Sequence, residues 1–149
     1  MPNAIAITAH HDDAVLWCGG TIMRTRRMAG WNWTVVALCV PDPDRQVYFD
    51  SYCAAAGVTG RRFNFVDYLP PPLFSHNRQA DFEAAICESQ QSIEFDFVFT
   101  HSKDVGGEYG GHANHDEVRI AAENVFGSSN LIHFCYSNRC LKSSCKIIT

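Results

Sequence analysis

The chain has 149 residues, of which 46% are hydrophobic and 19% charged, and this composition indicates one folded domain over residues 1–149. The formal net charge of −4 argues against a nucleic acid as the main partner, because phosphate binding requires a basic surface. No signal-peptide pattern and no apolar run of the roughly 18 residues that a membrane helix needs is present. Seven scattered cysteines without a Cys-x-x-Cys pair favour reduced thiols, and we therefore predict a cytoplasmic protein without a membrane span.

Short apolar segments alternate with helix-like segments along the chain. The strands are expected over about 3–8, 34–40, 62–66, 95–100 and 131–136, and the helices over about 14–29, 46–56, 77–93 and 112–126. Alternation of this kind predicts an α/β fold in which helices cover both faces of the sheet. We expect a three-layer, Rossmann-like arrangement with a mostly parallel sheet of about five strands.

Two histidines and two acidic residues stand together where the first predicted strand ends. His10, His11, Asp12 and Asp13 directly precede the first predicted helix. Ligands bind at the carboxyl ends of strands in open α/β sheets, and imidazole with carboxylate is a donor set typical of zinc. Two adjacent carboxylates also repel each other unless a cation offsets their charge. The cluster therefore predicts a metal site, although an acidic pair at a helix start is also typical of a simple N-cap.

A second pair of histidines follows the fourth predicted strand. His112 and His115 come after a glycine-rich loop and begin the last predicted helix. Positions i and i+3 of a helix share one face, so one of these imidazoles can complete a metal site begun by the first cluster. Two histidines and one aspartate leave the fourth tetrahedral position of zinc to water, as in catalytic sites. His-x-x-His alone is a weak signal, and it gains weight because both clusters follow strands of one parallel sheet.

Two adjacent glycines interrupt the first predicted helix. Gly19 and Gly20 together cost about 2 kcal/mol of helix propensity relative to alanine. We expect a close approach of the backbone to the sheet or to a ligand to offset this cost. A phosphate-binding Rossmann domain is a weaker interpretation of the pair, because no Gly-x-Gly-x-x-Gly follows the first strand.

Both clusters match motifs of a known family. Residues 9–13, AHHDD, followed by GGT at 19–21, resemble the Ala-His-Pro-Asp-Asp-Glu…Gly-Gly signature of the PIG-L/LmbE-like deacetylases. Residues 107–115, GEYGGHANH, resemble the second motif of that family, Gly-His-x-Asp/Asn-His. The resemblance covers about residues 3–136. It implies a metal-dependent amide hydrolase with a Zn²⁺ cofactor that deacetylates N-acetylglucosamine-type sugars or their conjugates.

The resemblance also implies a role for each matched residue. The zinc ligands would be His10, Asp13 and His115. Asp12 would act as general base, taking a proton from water and returning it to the leaving amine. His112 would stabilise the oxyanion or position the acyl group.

Three further residues are candidate substrate contacts. Arg45 falls near a substrate-facing arginine of the family, and a solvated loop arginine is the alternative interpretation. Tyr109, in the glycine-rich loop, is a candidate for stacking on a sugar ring. His101 follows the fourth strand and is expected at the pocket edge. The implied partner is a small N-acetylated sugar.

The sequence departs from the family pattern at several positions. His11 replaces the family's proline and Ala14 replaces its usual acid, so one hydrogen bond around the metal is expected to be missing. The chain is also short for the family, which favours an open site, a homo-oligomer that completes the pocket, or a degenerate copy. The alternative hypothesis is therefore a non-catalytic domain of the same fold that binds a metal and a sugar or nucleotide.

Overall fold

The structure is a computed structural model, and it describes residues 1–67, 78–102 and 113–134. Strands and helices alternate along these residues. The strands are β1 (Asn3–Thr8), β2 (Asn32–Ala37), β3 (Thr59–Arg62), β4 (Phe97–Thr100) and β5 (Leu131–His133), and the α-helices are α1 (Asp13–Ala29), α2 (Pro43–Ala56), α3 (Arg78–Gln90) and α4 (Ala113–Phe126). The order of elements confirms the predicted alternation.

The five strands form one sheet with the order β3-β2-β1-β4-β5, and every pairing between them is parallel. Side chains of β1 alternate between two cores. Ala4 and Ala6 pack with buried residues of α1 and α2, whereas Ile5 and Ile7 pack with α3 and α4. Helices therefore cover both faces, which is why the central strands are apolar at nearly every position. The predicted three-layer α/β fold is confirmed.

The strand order determines where a ligand site can form. Connections from β1 lead towards β2, whereas β4 pairs with the other side of β1 and leads to β5. A crevice opens at the carboxyl ends of two such neighbouring strands in open α/β sheets. His10 follows β1, and His115 lies in the helix that follows β4, so the fold brings these two histidines to the same edge of the sheet.

Helix α2 begins three residues before its predicted start at residue 46. The Asp42 carboxylate accepts hydrogen bonds from the backbone N–H groups of Asp44 at 2.8 Å and Arg45 at 3.2 Å. Pro43 occupies the first turn, where its missing N–H costs nothing. The predicted start at residue 46 was therefore wrong, because residues 43–45, with a proline and an aspartate typical of loops, form the capped first turn of the helix.

Strand β3 lies earlier than the predicted segment 62–66. It pairs with β2 from Thr59 to Arg62, and only a single antiparallel bridge between Cys39 and Asn64 follows within the described residues. Phe63 and Phe65 both pack against the core on the α3 and α4 side. The alternation of apolar and polar residues over 62–66 therefore reflects packing of the segment that follows the strand, not the strand itself.

Helix α3 ends at Gln90 rather than at residue 93. Gln91 and Ser92 have φ values of 45° and 65°, and a right-handed helix cannot continue through such residues. The predicted first residues of α3 and α4, 77 and 112, and the predicted end of β5, 136, lie outside the described residues. Within the described ranges, no helix is long and apolar enough to cross a membrane.

The described residues show no close approach of the sheet to the two glycines of α1. A Cβ on Gly19 would meet its nearest atoms at 3.7 Å and 3.9 Å, which is ordinary van der Waals contact. A Cβ on Gly20 would meet no atom of the described residues within 4 Å. Neither the sheet nor another described segment therefore requires glycine at these positions, and the structure offers no explanation for the pair.

Removal of the Phe82 ring tests how α3 is attached to the sheet. Phe82 is fully buried and meets the Phe65 ring edge-on, with 4.8 Å between ring centroids. We expect Phe82→Ala to lower the free energy of unfolding by about 3–5 kcal/mol in urea denaturation. Met28→Ala, at an exposed position of α1, is the control and should change it by less than about 0.5 kcal/mol. A loss below about 1 kcal/mol for Phe82→Ala would contradict this packing.

The described cysteines differ in exposure and therefore in reactivity. Cys18, Cys39 and Cys53 are buried free thiols, and Cys87 is exposed. Burial raises the pKa of the three buried thiols to about 12. At pH 8 they are then almost entirely protonated, and only thiolate reacts with iodoacetamide. We expect peptide mapping to show alkylation of Cys87 at least about 100-fold faster than of the other three, and comparable rates would refute their burial.

Candidate metal centre

Three buried side chains meet at the carboxyl ends of β1 and β4. His10 follows β1, Asp13 is the first residue of α1, and His115 lies in the first turn of α4. The chain places them together because β1 and β4 are neighbours in the sheet. They form a group of ligand atoms that can hold a metal ion. These are the residues that the resemblance implies as ligands.

The spacing of the three donor atoms fits tetrahedral coordination. His10 Nδ1 lies 3.1 Å from His115 Nε2, and Asp13 Oδ2 lies 3.4 Å from each of these nitrogens. Zinc bonds of about 2.0–2.1 Å at tetrahedral angles separate neighbouring donor atoms by about 3.3 Å. The triangle therefore has the size that one such ion requires.

The Asp13 carboxylate is held in its charged form. Burial raises its pKa, but the neighbouring imidazoles of His10, His101 and His115 outweigh this effect and hold the pKa of Asp13 well below its usual range. The backbone N–H of His10 also donates to Asp13 Oδ2 at 2.7 Å. A buried anion thus forms one corner of the donor set, where it attracts a cation.

Asp67, which the sequence interpretation missed, contacts His10 from the other side. His10 Nε2 lies 2.6 Å from Asp67 Oδ1, and Arg45 Nη1 donates to Asp67 Oδ2 at 2.9 Å. Burial lowers the pKa of His10, but Asp13 and Asp67 outweigh this effect and raise it above its ordinary value. Burial likewise raises the pKa of Asp67, and His10 and Arg45 together bring it below the usual range.

The buried amide of Asn114 binds the same acid. Its Nδ2 donates to Asp67 Oδ1 at 2.9 Å and also to the backbone carbonyl of Asp67. Asn114 belongs to the second histidine motif, where the sequence assigned it no role. One signal could have found Asp67: it stands directly after the segment predicted as the third strand, at the edge of the sheet where ligands bind.

His101 lies beneath His115 and is 0% exposed. The two imidazoles stack with 3.8 Å between centroids and an interplanar angle of 13°. The backbone N–H of Ala9 donates to His101 Nε2 at 3.0 Å, and burial lowers the pKa of His101 to about 4, so the ring is neutral near pH 7. This position corrects the expectation of a pocket-edge residue: His101 supports His115 and has no exposed surface for the predicted substrate contact.

Asp12 differs from Asp13 in its surroundings. It occupies the N-cap position of α1, yet its side chain accepts no capping hydrogen bond, and that side chain is 52% exposed. Its Oδ1 lies 3.5 Å from His11 Nδ1. No capping hydrogen bond therefore accounts for Asp12, whose carboxylate is accessible and which directly precedes Asp13 in the sequence.

Of the three remaining predicted site residues, the structure describes only Arg45. Arg45 lies in the first turn of α2, and its ion pair with Asp67 shows that it is not the solvated loop arginine of the alternative interpretation. His112 and Tyr109 lie outside the described residues, so their roles stay predictions.

Comparisons with known proteins support the fold. No protein-family model and no curated protein matches the sequence. The structure is similar to GalB, the 4-carboxy-2-hydroxymuconate hydratase from Pseudomonas putida KT2440, with a TM-score of 0.62 and 19% identity over 84% of this chain and 55% of the hydratase. A bulky-bulky ketone specific alcohol dehydrogenase from Comamonas testosteroni aligns at a TM-score of 0.38 and 16% identity, over 84% of this chain and 45% of that enzyme. The chain thus spans about half the length of either structure.

Loss of one candidate ligand should abolish tight metal binding. We expect metal-stripped protein to bind close to one Zn²⁺ per chain, and His115→Ala to weaken that binding by more than about 100-fold, since even groups behind the ligands typically cost 10–100-fold. Competition with a chromophoric chelator measures the affinity. Asp116→Ala changes the exposed neighbouring residue and should leave it within about threefold. Equal affinities of His115→Ala and the control would remove His115 from the site.

Proposed function

We propose that the chain is a zinc-dependent deacetylase that hydrolyses the N-acetyl amide of an N-acetylglucosamine-type sugar or sugar conjugate. The observation that carries the proposal is the buried donor triangle of His10, Asp13 and His115, with edges of 3.1–3.4 Å. The accessible carboxylate of Asp12 directly precedes one corner of the triangle. The motif resemblance supplies the substrate class, and the geometry supports the metal.

The donor set favours zinc over the common hard cations. Ca²⁺ and Mg²⁺ are bound mainly by oxygen atoms, whereas two of the three donors here are imidazole nitrogens. Three protein ligands are also the number found at catalytic zinc sites, where the fourth position serves water or substrate. The proposed cofactor is therefore catalytic rather than structural.

Amide hydrolysis assigns distinct tasks to the neighbouring side chains. Zinc, when bound, supplies a Lewis acid that polarises a carbonyl group and lowers the pKa of water to about 7. Asp12 takes a proton from the attacking water and returns it to the amine as the carbon–nitrogen bond breaks, which yields acetate and a free amino sugar. His101 keeps the His115 ring in place through stacking. Arg45 is half exposed and is proposed to hold a substrate hydroxyl.

One observation favours the non-catalytic alternative. Ala14 stands where the family has an acid, and it is buried in the core with Cys18 and Ile22 of α1. That position therefore offers no hydrogen bond to the site. A domain of this kind would bind metal and a sugar or nucleotide without releasing acetate.

Substitution of the proposed base separates metal binding from catalysis. We expect Asp12→Asn to retain Zn²⁺ affinity within about threefold and to lower acetate release from N-acetylated sugars by about 10²–10⁴-fold, because a general base contributes that much. Asp81→Asn, an exposed acid in the first turn of α3, is the control and should behave as the wild-type protein.

The same assay distinguishes the alternatives. Acetate release that disappears with a chelator and returns with Zn²⁺ would support the deacetylase. Sugar-induced thermal stabilisation without acetate release from any member of the panel would refute it in favour of the binding domain. The panel includes 4-carboxy-2-hydroxymuconate, the compound in the name of the hydratase with a similar fold, and hydration of this compound alone would also overturn the deacetylase proposal.

A further inference from the structure

Both oxygens of the Asp67 carboxylate are engaged by side chains from three other segments. Oδ1 meets His10 Nε2 at 2.6 Å and the Asn114 amide at 2.9 Å, and Oδ2 accepts from Arg45 Nη1 at 2.9 Å. The three partners come from the end of β1, the start of α4 and the start of α2. The Asp67 carboxylate thus connects the candidate metal ligand His10 with the first turns of α2 and α4.

The contact with Asp67 determines which nitrogen of His10 carries the proton. A charged carboxylate can only accept hydrogen bonds, so His10 Nε2 must be the donor at 2.6 Å. A neutral imidazole has one N–H, and Nδ1 is then the nitrogen with the available lone pair. Nδ1 is the atom of His10 that belongs to the donor triangle.

We propose that Asp67 is a positioning residue of the metal centre: it holds His10 in the Nε2–H tautomer and turns Nδ1 towards the ion. Arg45 holds the second oxygen of Asp67 and so limits rotation of its carboxylate. Pairing of a ligand histidine with a carboxylate fixes the ring and raises its basicity as a ligand. The inference rests on the metal site of the proposed function and does not depend on which reaction that site catalyses.

Asp67 does not act as a fourth ligand of the same ion. It reaches the His10 ring at Nε2, and the lone-pair directions of the two ring nitrogens diverge. An ion bound to Nδ1 together with His115 and Asp13 would therefore lie on the far side of the ring from Asp67. Its action on the ion passes through His10.

The variant Asp67→Asn keeps the shape of the side chain but removes its charge. Its amide can donate to Nε2 and so favours the opposite tautomer of His10. We expect Zn²⁺ affinity, measured by chelator competition, to fall by about 10–100-fold. Asp50→Asn is the matched control, because Asp50 forms its ion pair with Arg62 at 3.0 Å on the exposed surface and should leave the affinity within about threefold.

Nitrogen-15 NMR of the histidine rings provides a readout that a merely structural role would not change. In metal-free wild-type protein, at a pH high enough for the His10 ring to be neutral, we expect that ring to carry its single proton on Nε2. In Asp67→Asn we expect a shift towards the Nδ1–H form, while circular dichroism shows that the fold is retained. The wild-type measurement needs no variant, so the proposal stays testable even if Asp67→Asn does not fold.

The possible outcomes separate the two proposals. A wild-type His10 with its proton on Nδ1, or an Asp67→Asn protein that binds Zn²⁺ as tightly as the Asp50→Asn control, would overturn the role of Asp67. Failure of the wild-type chain itself to bind Zn²⁺ would instead overturn the metal site. Weakened binding in Asp67→Asn together with the tautomer shift would establish the positioning role.

Discussion

The Asp13 carboxylate is buried at the switch between β1 and β4, and its charge must be compensated there. Removal of a carboxylate from water costs several kcal/mol unless hydrogen bonds and opposite charge replace the lost hydration. The surrounding groups do this: a backbone N–H and the imidazoles of His10, His101 and His115 all face it. Each of these groups comes from a segment that follows β1 or β4. The start of α1, the start of α4 and the end of β4 must therefore converge on one point.

Much of this architecture could be predicted because it depends on local patterns. The bounds of β1 were predicted as observed, since a strand that is buried on both faces is apolar throughout. The meeting of His10 and Asp13 with His115 could also be predicted, because the carboxyl ends of parallel strands share one edge of the sheet. The predicted bounds of β3 and α2 were wrong, because a phenylalanine such as Phe63 and a proline such as Pro43 each occur in more than one structural setting. Phe63 serves the core beyond the strand, and Pro43 begins a helix.

The partners of the ligands could not be predicted in the same way. Asp67 is a single acid after a short edge strand. Its contact with the candidate site becomes visible only in the folded chain, where His10, Arg45 and Asn114 reach it. His101 directly follows β4, much as His10 stands two residues after β1, yet His101 is fully buried beneath His115. Packing between distant elements decides which histidine joins the donor triangle and which lies beneath it. A sequence motif gives the residue type but not how deeply the side chain is buried.

The position of the donor triangle has a consequence for assembly of the chain. Asp13 begins α1, which packs on one face of the sheet, and His115 lies in α4, which packs on the other. An ion held by both would join the two outer layers around the edge of the sheet. It would bind all three ligands only after α1 and α4 have docked, so its binding free energy would be added to the stability of the completed fold rather than to either half. The metal would thus select chains that have finished folding.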